Sequence, residues 1–226
     1  MLSYLIYFII PMIIGFAVQG WLKHTFTANS NKPISTGKSG AQVAREILDR
    51  NGLYDVPVHI SNAGPLSDHY DPRKRGIALS HPVYEGRSVA ATAVAAHEVG
   101  HALQHAKGYV PMSLRSAVWP VAAFGSSAWF VLLIIGFFLQ MTQLIWLALI
   151  LFAGVVLFQL VTLPVEFNAS RRAASQLQEL GLVTNQAEAA GVRSTLTAAA
   201  MTYVAGTLAA VGQLLFFLTM FGGSDD

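Results

Sequence analysis

The sequence predicts a mainly α-helical integral membrane protein with about four transmembrane helices and a small α+β lobe. Of its 226 residues, 54% are hydrophobic and only 12% are charged, whereas soluble domains are about 25% charged. Three stretches contain no Asp, Glu, Lys or Arg, namely residues 1–22, 116–165 and 194–224. A bilayer core requires about 20 apolar residues per helix, so the middle stretch is long enough for two helices.

The predicted membrane spans divide the chain into five segments. They are a first transmembrane helix (1–22), a polar lobe (23–116), a transmembrane hairpin of two helices (117–165), a second polar segment (166–198) and a last transmembrane helix (199–221). A cleaved signal peptide is the alternative for the first segment, but its apolar run is longer than the usual run of about 7 to 15 residues. We therefore expect a retained helix.

The positions of the positive charges predict the orientation. All 14 Lys and Arg residues fall between Lys23 and Arg115 or between Arg171 and Arg193. Since Lys and Arg collect in cytoplasmic loops, we expect a multi-pass protein of the cell membrane with both polar segments in the cytoplasm and both termini outside. The net charge of +2 is too small to favour nucleic acid as a partner.

The first polar segment has the pattern of a small α+β unit. An amphipathic helix is predicted over 39–51, from a serine cap to an Asn-Gly end. Short strands are predicted over 56–60 and 76–80, with a polar loop over 62–75 between them. A second helix is predicted over 88–107, with a glycine just beyond its end.

This second helix contains the pattern H-E-x-x-H, at His97-Glu98-Val99-Gly100-His101. Four residues make about one helical turn, so the two histidines point the same way and can bind one ion, with Glu98 within reach of a water molecule on that ion. Because the chain has no cysteine, imidazole and carboxylate groups would hold the metal, and they suit Zn²⁺. The alternative is a polar helix face with structural histidines.

A catalytic zinc site needs a third protein ligand, and we predict that Glu166 provides it. The hairpin returns to the membrane face that it left, so Glu166, the first charged residue after the neutral stretch 116–165, reaches the depth of the H-E-x-x-H helix. The alternative is an acidic residue at a helix N-terminus, where the helix dipole favours it. His105 lies another turn along the helix, too far for a metal bond shared with His97.

These motifs together resemble the YugP-like neutral zinc metallopeptidases, a family of bacterial membrane-bound gluzincin proteases. The resemblance rests on the H-E-x-x-H pattern and on residues 164–172 (PVEFNASRR), and it extends to 67–72 (SDHYDP) and 191–205 (GVRSTLTAAAMTYVA). It implies a zincin-like cytoplasmic lobe and a zinc-dependent endopeptidase. Its substrates would be proteins or peptides, membrane proteins among them.

The resemblance also implies roles for single residues. His97, His101 and Glu166 would be the zinc ligands, and Glu98 would be the general base. In the broader gluzincin pattern, an Asp four residues after the ligand glutamate orients a zinc-bound imidazole. Here Ser170 occupies that position, and a hydroxyl is a weaker acceptor than a carboxylate.

Other functional positions have several candidates. Asp68 and Asp71 are alternatives to Ser170 as the group that orients an imidazole. Residues 76–80 are a candidate edge strand that would pair with an extended substrate. The candidates for a donor to the developing oxyanion are His69, Tyr70 and Arg171.

Two other functions compete with peptide hydrolysis at the cytoplasmic face. One is site-2-type intramembrane cleavage, but the apolar run 89–103 is too short to span a bilayer and has charged neighbours. The other is a zinc-stabilised, non-catalytic membrane scaffold, in which Glu98 would be dispensable. No pattern in the sequence indicates an oligomeric state.

Overall fold

The structure is a computed structural model that describes residues 5–64 and 67–222. A π-helical turn at Leu5–Ile9 opens this part of the chain. The α-helices are α1 (Ile10–Ser30), α2 (Gly40–Arg50), α3 (His81–Tyr84), α4 (Val89–Ala106), α5 (Val110–Phe138), α6 (Thr142–Glu179) and α7 (Gln186–Gly222). The strands are β1 (Val58–Ser61), β2 (His69–Asp71) and β3 (Gly76–Ser80). The first residues of the predicted span 1–22 lie outside the described residues.

The described chain forms two compact units. The membrane unit contains the residues up to Val18, Val110–Pro164 and the residues from Thr202 onward. The lobe contains Gln19–Tyr109 and Val165–Met201. Helices α1, α6 and α7 each contribute residues to both units.

Four helices of the described chain are long and apolar enough to cross a membrane: Ile6–Ser30, Val110–Phe138, Thr142–Glu179 and Gln186–Gly222. In the membrane unit, α5 and α6 approach closely at Gly125, where an added Cβ would lie 2.8 Å from the carbonyl oxygen of Leu151. Such contacts at small residues are typical of helices packed in a bilayer. The length and composition of these four helices confirm the prediction of a multi-pass membrane protein.

Helix α6 runs without interruption through Pro164 to Glu179. The alternative of Glu166 at a helix N-terminus is therefore wrong, because Glu166 lies inside α6. The proline removes one backbone hydrogen bond, but packing maintains the helix beyond it. The residues that follow at four-residue intervals are all buried in the lobe: Val165, Ala169, Ala173 and Leu177.

The lobe contains a three-stranded sheet in the order β1-β3-β2, with β1 parallel and β2 antiparallel to β3. The expectation that 76–80 forms an edge strand is wrong, because β3 is the central strand and all five of its residues are buried. Strand β2 lies inside the stretch 62–75 that was predicted as a loop. Its sequence, His-Tyr-Asp, has none of the apolar alternation by which strands are recognised.

Two helices of the lobe, α2 and α4, begin and end as the sequence predicts, whereas the short helix α3 was not predicted. Ser39 and Gln42 form a capping box at the start of α2, and the Ser88 side chain accepts the backbone N–H of Ala91 at the start of α4. Gly108, with φ of 61°, follows the end of α4. Helix α4 is buried over most of its length in the core of the lobe, so the H-E-x-x-H pattern belongs to an interior element.

Candidate metal centre

Helix α4 holds the two histidines side by side. His97 and His101 lie one turn apart, with ring centroids 4.8 Å from each other and ring planes at 85°. Small side chains, mostly alanine, precede them on α4 and allow neighbouring elements to pack tightly around the helix. His101 is 7% exposed, whereas the side chain of His97 is 15% exposed. The pair is therefore nearly enclosed by protein.

A glycine allows the second ligand-bearing helix to approach. A Cβ added at Gly100 would lie 2.5 Å from the carbonyl oxygen of Ala169 and 3.1 Å from its Cα. No side chain fits in that space, so the backbones of α4 and α6 meet directly. Ala169 and Glu166 are three residues apart on α6 and share one helical face. The close approach therefore brings the carboxylate of Glu166 to the two imidazoles.

Three donor atoms meet at this point of the lobe. Oε2 of Glu166 lies 3.2 Å from Nε2 of His97 and 3.5 Å from Nε2 of His101. Two donors at about 2.0–2.1 Å from one tetrahedral ion are separated by about 3.3 Å. Glu166 is 2% exposed, and all three donor atoms lie within 4.8 Å of one another. This donor set fits a Zn²⁺ ion.

The imidazole of His97 faces Ser170, as the position of that serine four residues after Glu166 suggests. Oγ of Ser170 lies 3.2 Å from Nδ1 of His97. The two aspartates considered for this role have other partners. Asp68 accepts the backbone N–H and the hydroxyl of Ser80, and Asp71 accepts backbone N–H groups of the turn that follows it.

The imidazole of His101 faces a residue that the sequence analysis missed. Oε1 of Gln104 lies 3.0 Å from Nδ1 of His101. The Nε2 group of Gln104 donates to the carbonyl oxygen of Val165 at 2.7 Å and to Oδ1 of Asn168 at 3.1 Å. Gln104 is fully buried. An amide three residues after His101, and so on the same face of α4, was the signal available in the sequence.

Glu98 lies beside the donor set and is 7% exposed. Burial raises the pKa of Glu98 to about 7, and the charge of His97 opposes that rise. The negative charges of Glu166 and Asp68 also raise the pKa of Glu98. A carboxyl group with a pKa near neutrality can both accept and release a proton at physiological pH.

The three candidates for the oxyanion donor have different surroundings. Nδ1 of His69 lies 2.8 Å from the carbonyl oxygen of Ser67, and His69 is close enough to Glu98 for its charge to lower the pKa of Glu98. The hydroxyl of Tyr70 is hydrogen-bonded to Nδ1 of His105 at 2.8 Å. Arg171 is exposed on α6.

Comparison with known proteins supports the metal centre. Residues 4–222 match the family described as "Putative neutral zinc metallopeptidase". The chain is 47% identical over 214 residues to the "Putative membrane protease YugP" of Bacillus subtilis (strain 168), covering 94% of each chain. No solved structure matches the chain significantly. The chain belongs to the YugP-like family of neutral zinc metallopeptidases, as its motifs predict.

Proposed function

We propose that this protein is a membrane-embedded zinc metalloendopeptidase that hydrolyses peptide bonds at the cytoplasmic face of the membrane. The observation that supports it best is the convergence of two imidazoles and one carboxylate. His97, His101 and Glu166 are the proposed zinc ligands, and Glu98 is the proposed general base. The family description and the name of the Bacillus relative agree with this activity.

The zinc ion and the side chain of Glu98 would make separate contributions to the proposed reaction. His97, His101 and Glu166 would hold the zinc ion, and the ion would supply a water molecule whose pKa is lowered to about 7. The carboxylate of Glu98 would accept a proton from the attacking water molecule and would then deliver that proton to the leaving nitrogen of the peptide bond. The surrounding protein excludes bulk water from Glu98, and the same burial raises its proton affinity.

The three proposed ligands fall among the residues of the lobe, His97 and His101 on α4 and Glu166 on the part of α6 beyond Pro164. Helix α4 is not among the four described helices that are long and apolar enough to cross a membrane, which argues against site-2-type cleavage inside the bilayer. The distribution of Lys and Arg favours a cytoplasmic lobe and external termini. We propose protein or peptide substrates, membrane proteins among them, because the bilayer anchors the enzyme beside them.

The test compares the full-length protein with Glu98→Gln, both purified in detergent, for zinc content and for digestion of casein and a peptide library. We expect stoichiometric zinc in both proteins and a turnover lower by about 10²–10⁴-fold in the variant. Glu188→Gln is the matched control, since Glu188 is also a buried glutamate but hydrogen-bonds to Ser35 and Thr184. It should keep its activity.

Other results would contradict the proposal. Zinc bound by both proteins with cleavage by neither would favour the non-catalytic scaffold. Equal cleavage by the protein and its Glu98→Gln variant would reject Glu98 as the base. An absence of bound transition metal under every condition would reject the metal centre itself.

A further inference from the structure

The ring of His101 lies between two groups that accept hydrogen bonds. Oε2 of Glu166 is 3.5 Å from its Nε2, and Oε1 of Gln104 is 3.0 Å from its Nδ1. A neutral imidazole has one N–H and one lone pair. Only the nitrogen with the lone pair can bind a metal, so the position of the proton decides whether His101 can serve as a ligand through Nε2.

The orientation of the Gln104 amide follows from its other contacts. Its nitrogen lies 2.7 Å from the carbonyl oxygen of Val165, which can only accept. The nitrogen also lies 3.1 Å from Oδ1 of Asn168. A reversed amide would turn its oxygen toward both of these acceptors, so the oxygen of Gln104 must face His101.

Arg172 determines the orientation of the Asn168 amide, the last group in this series of hydrogen bonds. Its Nε donates to Oδ1 of Asn168 at 2.7 Å, and a guanidinium group has no acceptor. Asn168 must therefore turn its oxygen toward Arg172, and the same oxygen receives the amide of Gln104. The direction of each hydrogen bond from Arg172 to His101 is therefore determined by a permanently charged side chain that can only donate.

We propose that Gln104 is a positioning residue that keeps the proton of His101 on Nδ1 and leaves the lone pair of Nε2 for the metal. The inference rests on the proposed metal centre and adds a residue to it. Gln104 also bonds to the carbonyl of Val165, the neighbour of Glu166. The buried side chain of Gln104 thus determines which nitrogen of His101 carries the proton. It also positions the turn of α6 that bears Glu166.

The test measures the zinc dissociation constant of the full-length protein in detergent, by competition with a chelator. Gln104→Met preserves the length of the side chain but removes its hydrogen bonds. We expect zinc binding weaker by about 10–100-fold, which is typical for the loss of a partner of a metal-bound imidazole. A folded Gln104→Met variant that binds zinc within twofold of the unaltered protein would overturn the proposal.

Two further comparisons separate this role from a general contribution to folding. Asn29→Leu removes another buried amide of the lobe, which donates to Gly191, Ser194 and Thr195. It should lower the unfolding temperature but leave the zinc dissociation constant unchanged. Asn168→Asp keeps the acceptor that orients Gln104 and should retain zinc affinity, whereas Asn168→Leu should weaken it.

A measurement on the unaltered protein covers the case in which Gln104→Met does not fold. In the cobalt-substituted protein, proton NMR should detect a hyperfine-shifted N–H signal from Nδ1 of His101 that exchanges slowly with water, because the proton is donated to a buried amide. Rapid exchange of both ligand imidazole N–H groups would reject the proposal. Failure of the unaltered protein to bind zinc or cobalt would instead reject the proposed function.

Discussion

At the scale of single residues, the two proposed ligand imidazoles are held by different partners. The partially exposed His97 faces a hydroxyl, that of Ser170, and the buried His101 faces an amide, that of Gln104. Neither partner is the carboxylate found in the broader gluzincin pattern. Since a charged acceptor makes a stronger hydrogen bond than a neutral one, we expect this site to bind zinc more weakly than a site with that carboxylate.

The Ser170 position can test this expectation. Ser170→Asp should strengthen zinc binding, because a carboxylate in place of the hydroxyl would hold the N–H of His97 more firmly. Ser170→Ala should weaken it by up to about tenfold. Chelator competition measures both effects. Ser175→Ala on the same helix is the control, since Ser175 is exposed and bonds to Glu179, and weaker zinc binding in Ser170→Asp would contradict the prediction.

Residue-level patterns predicted part of the site. His97, Glu98 and His101 belong to one local pattern, so spacing on a helix was enough to place them together. Gln104 was missed because its position three residues after His101 does not show which way its amide faces, and that orientation depends on a partner supplied by tertiary packing, the turn of α6 near Val165. Sequence spacing contains no information about that contact.

At the scale of elements, the contact between α4 and α6 determines whether the donors meet. The two helices touch at Gly100, where the backbone of Ala169 leaves no room for a Cβ. Gly100→Ala must therefore separate the helices locally. The separation would displace the carboxylate of Glu166, because Glu166 lies on the same face of α6 as Ala169.

We expect Gly100→Ala to lower the free energy of unfolding by about 1–3 kcal/mol, as overpacking typically does, and to weaken zinc binding. Thermal unfolding in detergent and chelator competition measure the two effects. Gly20→Ala is the control, because Gly20 is also helical but has no heavy atom within 4 Å of an added Cβ. A Gly100→Ala variant as stable as the unaltered protein would show that the helices tolerate the extra methyl group.

The elements also show where sequence reasoning succeeds and fails. The serine cap at the start of α2 and the glycine after the end of α4 depend on local chemistry and were predicted correctly. The continuity of α6 through Pro164 and the pairing of β2 with β3 depend on packing between distant segments. In both cases the local signal, a proline or a polar tripeptide, was overridden by tertiary contacts.

At the scale of the whole molecule, the apolar helices confirm a multi-pass membrane protein, and the orientation remains a prediction from charge. Because the chain has no cysteine, each introduced cysteine is a single reporter. Met141→Cys lies between α5 and α6 and should react with a membrane-impermeant maleimide in intact cells. Lys74→Cys in the lobe should react only after the membrane is permeabilised, and the opposite pattern would place the lobe outside.

The proposed ligands come from two stretches of chain that the whole of α5 and much of α6 separate. A fragment limited to Gln19–Tyr109 would keep both imidazoles and lose the carboxylate. One continuous insert that carries all three proposed ligands would therefore have to include both helices of the hairpin, α5 and α6.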